Sequence, residues 1–180
     1  MDDPGTRDTV AVGHHEHKTF AEKISARCAI ITASDSRDLA SDKSGRIVEQ
    51  LLISDGHEVL SRSVQPDEPA AITATIRDAI ASGAEAVLIN GGTGIAPRDR
   101  TFEAVDDLIE RPIPGFGELF RSLSYAEIGS AAMLSRSVAG IHDGRLLISM
   151  PGSPAAVRLA MEKLVLPEIR HVLSELVRRV

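Results

Sequence analysis

The chain has no tryptophan, one tyrosine and four phenylalanines, so aromatics make up only 3% of its 180 residues. A nucleic-acid module that stacks bases on rings needs more than that. Positive charge is also scarce. Twenty Lys and Arg face 26 Asp and Glu, a net charge of −6, which is the wrong sign for general binding to a phosphate backbone. Cysteine occurs once, as Cys28, which excludes an internal disulfide. At the head of the apolar run Cys28-Ala29-Ile30-Ile31 it reads as a small buried hydrophobe. No apolar stretch approaches the ~18 residues of a membrane span. The polar, acidic N-terminus lacks the basic-then-apolar order of a signal peptide. The expected location is cytoplasmic, with no membrane and no nucleic acid among the partners. Two nucleotide motifs are missing as well: no Gly-x-Gly-x-x-Gly follows the first strand, and no Walker A sequence occurs.

What is present is a globular share of apolar residues, 43%, in a chain long enough for one domain with a real core. Residues 1–22 mix Asp, Gly, Thr, Pro and His without an apolar period and read as a flexible tail. His14, His15 and His17 within it lack anything nearby to fix a metal geometry. Residues 23–180 read as a single domain. Cys28 to Ala33 is a buried strand, and Ser44 to Ser54 is a helix ended by Asp55-Gly56. His57 to Val64 is a second strand, Pro69 to Ser82 a second helix, and Ala86 to Ile89 a third strand. A helix from Thr101 to Leu108 follows. Pro112 to Gly117 breaks the pattern, with short helices expected over Glu118–Leu123 and Tyr125–Met133. His142-Asp143-Gly144 between two apolar segments signals a hairpin. A helix from Ala155 to Leu166 comes next, and Pro167 opens or kinks a last one. Alternation of this kind predicts an α/β fold: a three-layer α/β/α, doubly wound, mostly parallel sheet with a β-hairpin. Ligands then bind past the carboxyl ends of the strands.

The run Asn90-Gly91-Gly92-Thr93-Gly94 sits at such an end, between strand and helix. Glycines there let backbone N–H groups approach and cradle an anion, most often phosphate. Asp99, five residues on, is near enough to reach a metal that neutralises the phosphate. A tight turn without a ligand is the alternative for the glycines, and a helix cap for Asp99.

Further motifs stand in fixed order: Ser34-Asp35-Ser36, Asp42-Lys43-Ser44-Gly45, Pro66-Asp67-Glu68, Pro114-Gly115-Phe116-Gly117-Glu118, Ser135-Arg136 and Pro151-Gly152-Ser153. Together with the Gly-Gly-Thr-Gly turn, they resemble the molybdopterin-binding family of molybdenum cofactor synthesis. That family includes the bacterial MogA and MoaB proteins, the gephyrin G domain and the matching plant Cnx domain. The resemblance covers about Arg27 to Val172, and the segments Gly117–Gly129 and Val138–Ile141 look more like the MoaB branch. It implies Mg²⁺-dependent transfer of AMP from ATP to the terminal phosphate of molybdopterin, releasing pyrophosphate.

By that resemblance Asp67 and Asp99 are the catalytic, metal-binding carboxylates. Gly91, Gly92, Thr93 and Gly94 hold phosphate. Arg98 and Arg100, flanking Asp99, suit a triphosphate. Ser34 and Asp35 line the pocket, and Asp42, Ser44 and Gly45 at the start of a helix either hold nucleotide or cap it. Glu118 meets the pterin edge, where a carboxylate accepts two parallel N–H bonds. Ser135 and Arg136 hold the substrate's terminal phosphate, and Pro151, Gly152 and Ser153 form a pterin-side loop. Several of these side chains have a structural alternative: a turn or cap for Asp35, Asp67 and Ser153, a first-turn helix position favoured by the dipole for Glu118, and an exposed ion pair for Arg136. The resemblance further implies a homotrimer or homohexamer that contacts other cofactor-synthesis proteins. The alternative function is a catalytically weak MoaB-type paralogue that carries molybdopterin or serves as a protein-binding scaffold.

Overall fold

A computed structural model describes residues 25–177. The tail expected over residues 1–22, with its three histidines, lies outside them. The described residues form one six-stranded sheet with helices on both faces. The strands are β1 (Arg27–Ala33), β2 (Glu58–Gln65), β3 (Ala86–Asn90), β4 (Arg111–Pro112), β5 (Val138–His142) and β6 (Arg145–Met150). The α-helices are α1 (Lys43–Ser54), α2 (Pro69–Ala81), α3 (Thr101–Asp106), α4 (Pro114–Ile128), α5 (Pro154–Ala160) and α6 (Leu166–Val177).

The strand order is β2-β1-β3-β6-β5-β4. Pairs β1–β2, β1–β3 and β3–β6 are parallel, while β5 runs antiparallel to both β6 and β4. This is the expected three-layer, mostly parallel architecture. Apolar runs without alternation, such as Ala86-Val87-Leu88-Ile89, form strands buried on both faces because helices cover both. On one face Val48 and Leu52 of α1, Phe120 of α4 and Ile169 of α6 pack against Cys28, Ile30, Leu88 and Met150. On the other, Ile72 and Ile76 of α2 and Val105 of α3 pack against Ala29, Ile31, Val87 and Ile89. The chain leaves β1 towards β2 and leaves β3 towards β6, so the strand order reverses between β1 and β3. A crevice opens at the carboxyl ends of strands where this happens.

The Asp143-Gly144 hairpin forms with both residues at positive φ, 48° and 68°, as the twist of a two-residue turn demands. Two segments differ from the sequence reading. Instead of two short helices after a break, α4 is one 15-residue helix beginning at Pro114, followed by a 3-10 turn over Gly129–Leu134. Proline is compatible with a helix's first turn, where its missing N–H leaves no bond unmade. Of the glycines after it, Gly117 admits close packing: a Cβ there would stand 2.6 Å from the Ser137 carbonyl oxygen. The C-terminal helical region is divided by a π-helical turn over Met161–Val165, just before Pro167. The wider turn moves the preceding carbonyls out of the way of the proline ring.

Candidate active site

The Gly91–Gly94 turn leaves β3 at the crevice. Gly91 takes φ +98° and Gly92 φ +61°, conformations that a side chain would strain. Space is equally short. A Cβ on Gly91 would collide with the Ala33 carbonyl oxygen at the end of β1, and one on Gly92 with the Asp67 carboxylate and the Thr101 hydroxyl. The turn is anchored from both sides: the Gly91 N–H donates to the Met150 carbonyl (3.0 Å) and the Thr101 N–H to that of Gly92 (3.2 Å). The N–H groups of Gly92, Thr93 and Gly94 have no hydrogen-bond partner among the described residues.

These residues line a cleft of about 540 Å³. Ser34, Ser36 and Arg37 form one wall, Asp99 and Ser135 another, and Pro151, Gly152 and Ser153 a third. Phe120, Ser124 and Ala132, from α4 and the 3-10 turn, close the remaining side. The structure thus brings together Ser34, the Gly turn, Asp99, Ser135 and the Pro-Gly-Ser loop, although they are far apart in sequence.

Asp67 lies directly beneath Gly92, buried. Its Oδ1 accepts from the Thr101 hydroxyl (2.9 Å) and the Arg100 N–H (3.2 Å), and its Oδ2 has no hydrogen-bond partner among the described residues. Asp99 packs against Gly94. Its Oδ2 accepts from the Ala96 N–H (2.9 Å), and Oδ1 has no hydrogen-bond partner among the described residues. Two carboxylates therefore flank the glycine turn, each with one oxygen uncommitted. Hard cations favour such donors.

Other candidates stand one layer back. The Ser44 hydroxyl donates to the Gly152 carbonyl (2.7 Å), holding the Pro-Gly-Ser loop against the start of α1. Gly45 lies over the Asp42 carboxylate, which caps α1 through the Gly45 N–H (2.9 Å). Ser153 caps α5 through the Ala156 N–H (3.2 Å) while also lining the cleft. Asp35 turns outward, where its Oδ2 meets the Arg98 guanidinium at 2.7 Å; that bond holds its carboxyl below the usual range. The Arg136 guanidinium donates to the Gly94 carbonyl (2.8 Å), the Asp99 carbonyl (2.6 Å) and Glu103, and lies over the Phe102 ring. It clamps both ends of the 94–99 loop. Glu118 and Arg136 line a neighbouring cavity of about 490 Å³ that shares Ser135 with the cleft.

A family model described as a probable molybdopterin binding domain matches residues 29–171. The chain belongs to this molybdopterin-binding domain family. Relatives named molybdenum cofactor biosynthesis protein B include one from Halalkalibacterium halodurans, 46% identical over 91% of this chain and 96% of its own length. Another, from Bacillus cereus, is 48% identical over 91% of this chain and 98% of its own length. The tungsten cofactor synthesizing protein MoaB from Pyrococcus furiosus superposes with a TM-score of 0.80 at 34% identity, covering 86% of this chain and 98% of that one.

Within this member of the family, three features of the site escaped the sequence reading. Arg37 on the cleft wall follows directly after the Ser34-Asp35-Ser36 motif, and a cation beside a motif at a strand end was a usable signal. Thr101 as the anchor of Asp67 joins residues 34 positions apart, and no local pattern reports that pairing. The Asp42 network, in which Thr32 (2.9 Å) and Arg62 (3.2 Å) donate to the same buried carboxylate oxygen, is equally non-local.

Proposed function

We propose that this chain transfers AMP from Mg-ATP to the terminal phosphate of molybdopterin, releasing pyrophosphate. A role in molybdenum or tungsten cofactor biosynthesis follows from the family and the relatives; the specific reaction is our reading. The observation that carries it is the Gly92–Gly94 turn, whose three N–H groups, unpaired among the described residues, stand at the cleft between two carboxylates. Unpaired backbone donors at a strand end suit phosphate oxygens.

In this reading the terminal phosphate oxygen of molybdopterin attacks the α-phosphorus of ATP, and the bond to the departing pyrophosphate breaks. Such transfers need positioning and charge neutralisation more than covalent chemistry. Asp67 Oδ2 and Asp99 Oδ1 would hold the magnesium ion carried by the nucleotide, which needs only one or two protein carboxylates. When bound, the ion supplies charge neutralisation on the phosphates. Thr101 keeps Asp67 in place and Arg136 fixes the loop carrying Asp99. Glu118, which lines the adjoining cavity, would accept from N–H groups on the pterin edge. We place the reaction in the cytosol, in a homotrimer or paired trimers.

The test is adenylyl transfer with purified protein, Mg-ATP and molybdopterin, following adenylyl-molybdopterin and pyrophosphate, with Asp99→Ala alongside. Product that falls at least about 100-fold in the variant supports the reading, on the scale of lost transition-state charge stabilisation. Absence of product from a protein that still binds molybdopterin overturns it. That result would favour a carrier or scaffold, a reading supported by the exposed Tyr125, Ile128, Met133 and Leu134 beside the cleft.

A further inference from the structure

We propose that Asp35 holds Arg98 in reserve beside the cleft, and that this ion pair is exchanged for the Arg98–phosphate contact a polyphosphate would make when the ligand enters. The inference rests on the reading that the cleft takes a nucleotide. Arg98 immediately precedes Asp99, and Asp35 lies between Ser34 and Ser36; all three of these neighbours line the cleft. Neither paired side chain lines the cleft itself: the pair stands beside it, exposed, and joins the loop after β1 to the loop after the glycine turn.

Its geometry suits exchange. Arg98 Nη2 and Nε both donate to one oxygen, Asp35 Oδ2, at 2.7 and 3.2 Å, and Glu68 stands 3.6 Å away. The Arg98 side chain is 68% exposed and that of Asp35 42%. Water screens such a pair, so it is weak. A polyphosphate offers more charge and several acceptor oxygens to the planar guanidinium, which binds them in bidentate fashion.

Both anchors survive the exchange. Asp35 Oδ1 accepts from the Asp67 N–H (3.1 Å), so Asp35 keeps its place when Arg98 leaves. Arg136 holds the carbonyls of Gly94 and Asp99, so the loop base stays fixed while the Arg98 side chain swings. The consequence is selectivity: an anion must outcompete a carboxylate to recruit Arg98, which favours polyphosphates over weakly charged anions. Asp35 thus acts through Arg98 and lowers apparent affinity by the fraction of Arg98 it retains.

The experiment is calorimetric titration of the full chain with magnesium pyrophosphate, for wild type, Asp35→Asn, Arg98→Gln and the double variant. Asparagine preserves the bond to the Asp67 N–H. Asp35→Asn is expected to bind about 3- to 10-fold tighter, and Arg98→Gln about 10-fold weaker. The double variant should match Arg98→Gln. Asp35→Ser serves as a second deletion of the carboxylate if the asparagine variant melts differently from wild type. Unchanged or weaker binding on removing the carboxylate overturns the proposal. So does equal tightening in the Arg98→Gln background, which is bulk charge, and so does failure of wild type and Asp35→Asn alike to bind. Pyrophosphate binding is read without turnover. The expected pattern in a protein that makes no adenylyl-molybdopterin would retain the exchange and discard the reaction, and the converse result would do the opposite.

Discussion

Asp67 depends on its neighbours for its position. It is buried, with Gly92 above it and the Thr101 hydroxyl and Arg100 N–H holding Oδ1. Thr101→Val keeps the shape and removes one donor. The expected loss is about 1.5–3 kcal/mol of stability, because the bond goes to a charged group. On the proposed reaction, adenylyl transfer should fall through kcat with KM little changed, since a misplaced Asp67 would matter most at the reacting phosphate. Urea unfolding beside steady-state kinetics checks both. Unchanged kcat would remove Thr101 from the positioning of Asp67. At this scale the sequence was informative wherever chemistry is local. A glycine-rich turn at a strand end and the acid just beyond it are read within ten residues. Arg136 was not legible in that way. Its guanidinium is committed to a loop some 40 positions earlier, and only packing decides which partner an arginine finds.

Among the elements, the start of α1 carries the most organisation. Asp42 caps the helix and is fully buried, accepting from Gly45, Thr32 and Arg62. Thr32 in turn accepts from Asn90 at the end of β3 (2.8 Å), so one carboxylate ties α1 to three adjacent strands. Loss of an ordinary cap costs ~1 kcal/mol, whereas removing one partner of a buried ion pair costs about 3–5 kcal/mol. Asp42→Ala is expected to fall in the second class, measured as the shift in urea midpoint at constant slope. A loss near the smaller figure would mean that Arg62 is satisfied by its other partner, Glu49 (3.1 Å), and that the network is only a cap. The helix boundary and the cap were legible, because Asp42 stands three residues before Gly45 and an apolar period follows. The network was not, since β1, β2 and β3 meet α1 only in the folded sheet. The same contrast holds for α4. Pro114 and the glycines after it read as a break, yet the tight approach of Gly117 to Ser137 makes them part of a continuous helix.

The whole molecule carries a pH dependence at the base of the sheet, away from the cleft. His57 Nδ1 accepts the Ala26 N–H (3.0 Å) and Nε2 faces the Asp55 carboxylate at 3.2 Å, beside Arg170. Burial, reinforced by the Arg170 charge and opposed by Asp55, lowers the His57 pKa. A lowered folded value means that the unfolded chain binds more protons between the two pKa values. The contribution is therefore complete above about pH 6.5, the unfolded value, and is lost as pH falls through the folded one. Urea unfolding at pH 7.5 and 5.0 should show a larger acid loss in wild type than in His57→Gln; equal losses would assign the effect elsewhere. By itself the sequence determined the alternation of strands and helices, the doubly wound class, the glycine-rich turn at a strand end and the family. Those follow from side-chain period, turn residues and motif order, which are written along the chain. Only the tertiary structure decided that Asp67 lies under Gly92, that Arg136 serves the loop and that Glu118 lines a second cavity. Those outcomes depend on which strand ends come together, and contact across the sheet is set by packing and register rather than by distance along the chain.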